Sequence, residues 1–277
     1  MALPPKIFDQ SLIAHHLARR RGEDFVMDLL LGDLQDRLLT LIRDFPRALI
    51  IGPDVSRLPV TGRTAKGSFA FTRLPAFGHE TELPPLPEGE FELIVSLLHV
   101  QAVNDVPGYL AQLRARLVPD GLLLVAALGG NTLTELREAF LAADAEVSGG
   151  ASARVAPFIQ VRDAGGLLQR AGLALPVADV DTHIVRYATP FALMAELKAL
   201  GASNPLLDRS RRPATRALLT AAAEAYARKD ADADGRVRAT LELIWLSGWV
   251  PHESQQQPLK PGSATVSMTR ILGNKAK

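Results

Sequence analysis

Residues Ala48-Leu49-Ile50-Ile51-Gly52-Pro53-Asp54-Val55-Ser56 run from an apolar strand through one glycine into a polar turn. A glycine at a strand tip lets a nucleotide-like ligand approach the backbone closely, so Gly52 and Asp54 are the first candidate binding residues. Gly129-Gly130-Asn131 closes the apolar run Leu122 to Leu128. Free N–H groups at such a strand-to-helix junction can hold an anion or a substrate carboxylate; a plain turn with a helix cap is the alternative. Asn104-Asp105 offers the same two readings. His252-Glu253-Ser254-Gln255 follows the apolar run Trp245 to Val250. It could serve as a substrate lid or an acid–base pair. It could equally be a solvated loop, and on an extended backbone His252 and Glu253 face opposite ways. Of the six histidines, His99 at a strand end is the one expected to face a cleft, against the reading of a satisfied, half-buried ring. None has metal spacing to a second ligand, so no metal is expected. Gly62 to Ser68 superficially has the form of a phosphate loop, but its lysine, Lys66, precedes the second glycine instead of following it.

Alternating strands and helices must position these residues. Apolar positions Phe25, Val26, Leu29, Leu30, Leu34, Leu38, Leu41 and Ile42 predict a helix from about Glu23 to Phe45, closed by Pro46. Strands are expected at Arg47 to Gly52, Ser68 to Phe71, Phe91 to Leu98 and Leu122 to Leu128. Between them, a helix runs from Asn104 or Asp105 to Leu117, and Thr132 with Glu135 forms a capping-box pattern for a helix to about Ala143. Further on, Asp163 to Ala171, Pro190 to Leu200 and Pro213 to Arg228 read as helices, and Ala178 to Tyr187 and Val237 to Trp249 as an antiparallel strand pair. Continuous apolar strands alternating with helices predict an α/β sheet covered on both faces, with ligands beyond the carboxyl ends of its strands. Those tips are Gly52 to Ser56, Leu98 to Asn104 and Gly129 to Asn131.

Of the 277 residues 47% are hydrophobic, enough for one sizeable core. With 31 basic against 30 acidic residues the net charge is +1, which argues against general nucleic-acid or membrane-surface binding. Cysteine is absent, excluding disulfides, thiolate metal sites and cysteine nucleophiles. No apolar run is long enough for a transmembrane segment and no signal-type core opens the chain, so the cytoplasm is the default compartment. The clusters Arg19-Arg20-Arg21 and Arg209, Arg211, Arg212 and Arg216 read as solvated faces or as docking sites for an acidic protein.

Ile7-Phe8-Asp9, Val103-Asn104-Asp105-Val106-Pro107, the run from Leu117-Val118-Pro119-Asp120-Gly121 through Gly129-Gly130-Asn131-Thr132-Leu133, and His252-Glu253-Ser254-Gln255 followed by Pro261 to Ser267 carry a specific likeness. Together they resemble the family of respiratory complex I assembly factors built on the class I methyltransferase fold. The resemblance implies a Rossmann-like mixed seven-stranded sheet, S-adenosylmethionine (SAM) as ligand, and a protein client such as a complex I subunit. It also implies arginine hydroxylation in the mitochondrial branch and methylation of a carrier-bound acid in a more distant one. Divided accordingly, one methyltransferase-like domain spans 1–277, with N-terminal helices in 1–45, the core sheet in 46–187, a helical insertion in 188–236 and the final strands with the His-Glu-Ser-Gln segment in 237–277.

The chain departs from the family at the cofactor. The family's first loop has an acid in the strand and three spaced glycines; here Ile50 stands for the acid and only Gly52 remains, with Asp54 and Ser56 at the later two positions. The second strand ends in Phe71-Thr72, without the carboxylate that grips the ribose. Glu80 would face the adenine, Leu98 would line the cofactor's place, and Gln101-Ala102 replaces a His-Trp pair. Each lost charged hydrogen bond is worth ~1.5–3 kcal/mol, so losing two weakens SAM by about two to four orders of magnitude. The expected protein is a client binder with weak or no SAM chemistry; the alternative is an active SAM-dependent methyltransferase or protein arginine hydroxylase.

Overall fold

The computed structural model describes residues 5–79 and 81–256. Two helices open it, α1 (Gln10–Ala18) and α2 (Phe25–Leu39). The Asp24 carboxylate accepts from the Met27 N–H at 3.0 Å and starts α2. Met27, Leu30, Leu34 and Leu38, spaced three and four apart, form its buried stripe. The helix ends at Leu39, short of Phe45. The Thr40 hydroxyl turns back to the Arg37 carbonyl, and the following segment pairs with the first hairpin through Ala65 N–H to Leu41 O.

The strands are β1 (Ala48–Gly52), β2 (Thr61–Arg63), β3 (Ser68–Pro75), β4 (Phe91–Leu97), β5 (Leu117–Leu128), β6 (Ala174–Tyr187) and β7 (Val237–Trp249). They form one seven-stranded sheet in the order β2-β3-β1-β4-β5-β7-β6. β3, β1, β4 and β5 run parallel, while β2 and β7 run against their neighbours. This is the mixed sheet of a methyltransferase-like fold. The last strand among the described residues, β7, lies between β5 and β6, so the segment after α7 completes the core sheet.

Helices cover both faces. On one, α2 packs on Ile50, Val95, Leu124 and Trp245. On the other, α3 (Val106–Arg114) and α5 (Val161–Arg170) pack on Leu49, Ile51, Ile94, Leu123 and Ile244. A smaller core joins α4 (Thr134–Ser148), α6 (Pro190–Ala199) and α7 (Arg216–Asp230) to the start of β7.

Three expectations need correction. β3 extends to Pro75, so its tip is not Phe71-Thr72; the apolar alternation stops, but pairing with β1 carries the strand on to Gly52↔Pro75. Thr132 and Glu135 do not form a capping box. Leu133 is the N-cap of α4 with φ 55° and no side-chain bond, while Thr132 and Glu135 bond to β7. Val118-Pro119-Asp120-Gly121, whose composition predicts a tight turn, is instead absorbed into β5, where Asp120 at φ 62° and Gly121 bond to Val250.

The link from β1 to β3 matters most for the site. Parallel strands are usually joined by a helix, whose first turn offers free N–H groups to a ligand at the strand tip. Here the chain passes through the short hairpin strand β2. Among the described residues no α-helix lies between β1 and α3.

Candidate functional site

Beyond the carboxyl ends of β1, β4 and β5 lies a cavity of ≈ 630 Å³. That volume suits a drug-sized ligand or a few side chains. Pro53 approaches from β1, Leu98 from β4, and Leu128 from β5; Ile13 and Leu17 of α1 and Leu193 of α6 close it from above. Several polar groups on the wall are already engaged. Arg20 pairs with Asp54, Arg154 with Asp144, and Tyr187 donates to Glu196. The cavity therefore presents mainly apolar surface to an occupant.

At the β1 tip the loop is closed on itself. A Cβ added at Gly52 would sit 2.8 Å from a Leu58 methyl, so Leu58 packs directly against the open side of the glycine. Asp54 accepts from the Ser56 N–H at 3.0 Å and the Ser56 hydroxyl at 2.6 Å, and pairs with Arg20. Burial pushes the Asp54 carboxyl up, but the Ser56 bonds and the Arg20 charge outweigh it and hold it below its ordinary value. Arg73 of β3 donates to the carbonyls of Val55 and Leu58 at 3.2 and 3.3 Å. The N–H of Ser56 and that of Arg57 both turn inward to Asp54. The tip of β3 offers no carboxylate between Arg73 and His79. Glu80, expected at the adenine, lies outside the described residues. The described loop fits SAM poorly: the N–H groups of Ser56 and Arg57, the Asp54 carboxylate and the one glycine all face the protein itself.

At the β4 tip Leu98 takes φ 50° and donates its N–H to Ala126 at 2.9 Å, which turns the chain inward. His99 is therefore buried instead of facing the cleft. Its ring meets Phe77 and Tyr109 edge-on at 4.9 and 4.8 Å, and its Nδ1 has no hydrogen-bond partner among the described residues. Burial, with a smaller contribution from His79, pushes its pKa down to about 4. Such a ring stays neutral and is poorly placed as a base for a ligand in the cavity.

This depressed value gives a pH prediction. The unfolded chain takes up a proton near pH 6.5 and the folded chain only near 4. His99 thus contributes stability that is complete above pH 6.5 and is lost as pH falls toward 4. The loss is about 3 kcal/mol across that window, at roughly 1.4 kcal/mol for each pH unit crossed. Urea unfolding between pH 7 and 4 is expected to show the decline, and His99→Phe, which keeps a ring in the aromatic slot, is expected to flatten most of it. An unchanged slope in the variant would assign the decline to other groups.

Asn104 and Asp105 serve as anchors. The Asn104 side chain accepts from the Phe8 N–H at 2.9 Å and also from Ile7, and its amide donates to Glu82. Asp105 caps α3 through the Gly108 N–H at 2.9 Å. Ile7-Phe8-Asp9 is thereby strapped across the cavity end, where Leu207 N–H bonds to Ile7 O and Arg209 pairs with Asp9. Arg209 thus has an acidic partner within the chain.

At the β5 tip Gly129 lets Glu242 of β7 come close; a Cβ at Gly129 would collide with the Glu242 carboxylate. Gly129 N–H donates to Glu242 O at 2.7 Å, and Asn131 donates to the Glu242 carboxylate at 2.6 Å. Gly130 faces Gln160 in the same way. These residues clasp β7 to β5.

His252 and Glu253 are not brought to the cavity. β7 runs antiparallel to β5, with Trp249 opposite Leu122 and Leu243 opposite Leu128. The segment after Trp249 therefore emerges at the amino ends of the parallel strands, a strand length of about 20 Å from the cavity end. His252 is exposed and bonds to the Ser254 hydroxyl at 2.7 Å, while Gln255 holds Asp120 at 2.8 Å. The rest of that motif, Pro261 to Ser267, lies outside the described residues. The cavity lining from α6 and the Gly201 to Pro205 segment was missed by sequence reasoning, because its apolar residues carry no motif.

No family model matches the chain. The rat protein named arginine-hydroxylase NDUFAF5, mitochondrial, is 35% identical over 284 residues, spanning 94% of this chain and 82% of its own length. Its human counterpart is 35% identical over 265 residues, 90% of this chain and 76% of that one. A malonyl-[acyl-carrier protein] O-methyltransferase of Laribacter hongkongensis is 36% identical over 193 residues, 69% of this chain and 62% of its own.

Proposed function

We propose, for a chain that belongs to the family of the NDUFAF5 arginine hydroxylases, that it binds a protein client, a respiratory complex I subunit, and holds it for maturation with weak or no SAM-dependent chemistry. The observation that carries this reading is the closed β1 loop beside an open apolar cavity. The cofactor's usual seat is filled by Leu58 and tied by Arg20 and Arg73, while the neighbouring space remains available. Apolar client side chains suit a wall that is mainly apolar and on which Arg20, Arg154 and Glu196 are already engaged.

A second reading keeps the enzyme. The relatives' names favour it: a related chain that hydroxylates arginine gives reason to expect the same act here, with the cavity as substrate cleft. In that reading Leu98 lines the cleft beside the ligand, and Asn104 with Asp105 shape its mouth through the strap. Among the described residues no helix is long and apolar enough to cross a membrane, and no group of three or more His, Asp or Glu side chains is placed to hold a metal. We take the compartment to be the aqueous one in which the client matures, mitochondrial for the named relatives and cytoplasmic in a bacterial cell.

Complementation tests the proposal. In cells lacking this chain, the wild type is expected to restore NADH:ubiquinone oxidoreductase activity. Ala202→Trp, which plugs the cavity from an exposed rim position, is expected to fold yet restore less than a tenth of it. Full rescue by the plugged variant would remove the cavity from the function. Intact mass of the client from rescued and unrescued cells separates the readings: an added oxygen or methyl group that depends on this chain selects the enzyme.

A further inference from the structure

β6 ends the sheet, and among the described residues nothing pairs with its outer edge. It is fourteen residues long, and four large apolar side chains on it, Leu175, Val177, Val180 and Ile184, are exposed. Long edges with exposed apolar residues are normally blunted by proline, lysine or a covering element, because they recruit another strand. Here Pro176 interrupts only the first part, where α5 also packs. From Val177 to Tyr187 the strand is regular, in continuous register with β7.

We propose that a second copy of this chain covers the edge, by antiparallel β6–β6 pairing about a two-fold axis through Thr182. The sequence itself fixes the centre. Opposed residues in an antiparallel ladder must project to the same face, so a residue lies on the axis. A centre at 181 or 183 sets Asp181 or His183 against itself. A centre at 180 sets Asp179 against Asp181, and one at 184 leaves Asp181 opposite Tyr187. With the centre at 182, Asp181 faces the partner's His183, Val180 faces the partner's Ile184, and Thr182 faces its own counterpart. A carboxylate facing an imidazole N–H, paired β-branched residues and a Thr–Thr contact are favourable cross-strand combinations. Asp181 and His183 already lie 3.1 Å apart on one face of the strand. The two-fold thus assembles two acids and two imidazoles in alternation. The paired sheets would form one continuous fourteen-stranded sheet, with the apolar edge removed from water.

The chain contains no cysteine, which makes the test specific. Thr182→Cys puts two thiols on the axis, with Cα atoms about 4.5–5.5 Å apart, inside the disulfide range of about 4.4–6.8 Å. Mild oxidation of the full chain is expected to convert most of it to a covalent dimer. Ile184→Cys, on the same exposed face, separates its thiols by four residues along the strand, about 14 Å, and is expected to remain uncrosslinked. Wild-type protein is expected to sediment at twice 29.8 kDa, and Ile184→Lys at 29.8 kDa with unchanged circular dichroism. His183→Asp is expected to dissociate the pair, and the exchange Asp181→His with His183→Asp to restore it. Wild-type protein that stays monomeric at high concentration would overturn the proposal. Equal crosslinking at positions 182 and 184 would do the same.

Discussion

Titrated calorimetrically with SAM and then with S-adenosylhomocysteine, the protein is expected to release no measurable heat below about millimolar ligand. The β1 loop supplies the argument. A binding loop in this kind of sheet offers glycine-lined space, inward-pointing N–H groups and the first turn of a helix. Here Leu58 stands against Gly52, the N–H groups of Ser56 and Arg57 serve Asp54, and the chain leaves for β2 without a helix. Removing two charge-assisted hydrogen bonds at ~1.5–3 kcal/mol each converts a micromolar ligand to one near millimolar or weaker. Restoring glycine in sequence alone is not expected to recover it. The double substitution Asp54→Gly with Ser56→Gly frees Arg20 but leaves Leu58, and Arg73 on the loop carbonyls, in place. A dissociation constant in the low micromolar range for the wild type would overturn this account and favour the working enzyme.

What the sequence revealed of this molecule follows a physical division. Buried strands were legible because burial on both faces leaves continuous apolar runs: Phe91 to Leu97, Leu122 to Leu128 and the long β7 lie where those runs predict. The stripe of α2 was legible for the same reason, while its end was not. Leu41 and Ile42 continue the helical period, yet Ile42 is 74% exposed because the backbone there is already pairing with the hairpin. Side chains with two plausible partners defeated local reading. Thr132 and Glu135 have the spacing of a cap, but β7 arrives from 105 to 110 residues away and takes both. The loss of glycines in the first loop was visible in the sequence, and so was a helix-free link to the strand at Ser68, since the Pro- and Gly-rich run from Pro59 to Gly67 carries no helical period; the short strand β2 within it was not. His252 and Glu253 show the limit most clearly. Their motif says nothing about direction, and only the antiparallel course of β7 sends them away from the cavity.

Arg154→Met is expected to destabilise the protein by about 3–5 kcal/mol, read as a lower urea midpoint at unchanged m-value. Asp144 lies on α4 with no exposed side-chain surface, and both its oxygens receive Arg154 nitrogens at 2.7 Å. The guanidinium also lies 5.4 Å from the Phe140 ring, at the cavity wall. Methionine preserves most of that packing, so the variant isolates the charge. The hydrogen bonds from Arg154 are the chief reason the Asp144 carboxyl titrates below its ordinary value, against the opposing effect of burial. The pair therefore contributes stability above the unfolded carboxyl value of 3.8, and loses it as pH falls through the lowered folded value. Without Arg154 the buried carboxylate keeps only the long bond from the Ser152 N–H at 3.3 Å and no countercharge, which is costlier than having no charge there at all. Asp144→Leu combined with Arg154→Met is accordingly expected to recover most of the loss, giving a coupling energy of the order of the single-variant cost in the double-mutant cycle. If the double variant is as unstable as the sum of the two singles, the pair is not coupled, and the stability of α4 rests on its apolar contacts with α7 instead.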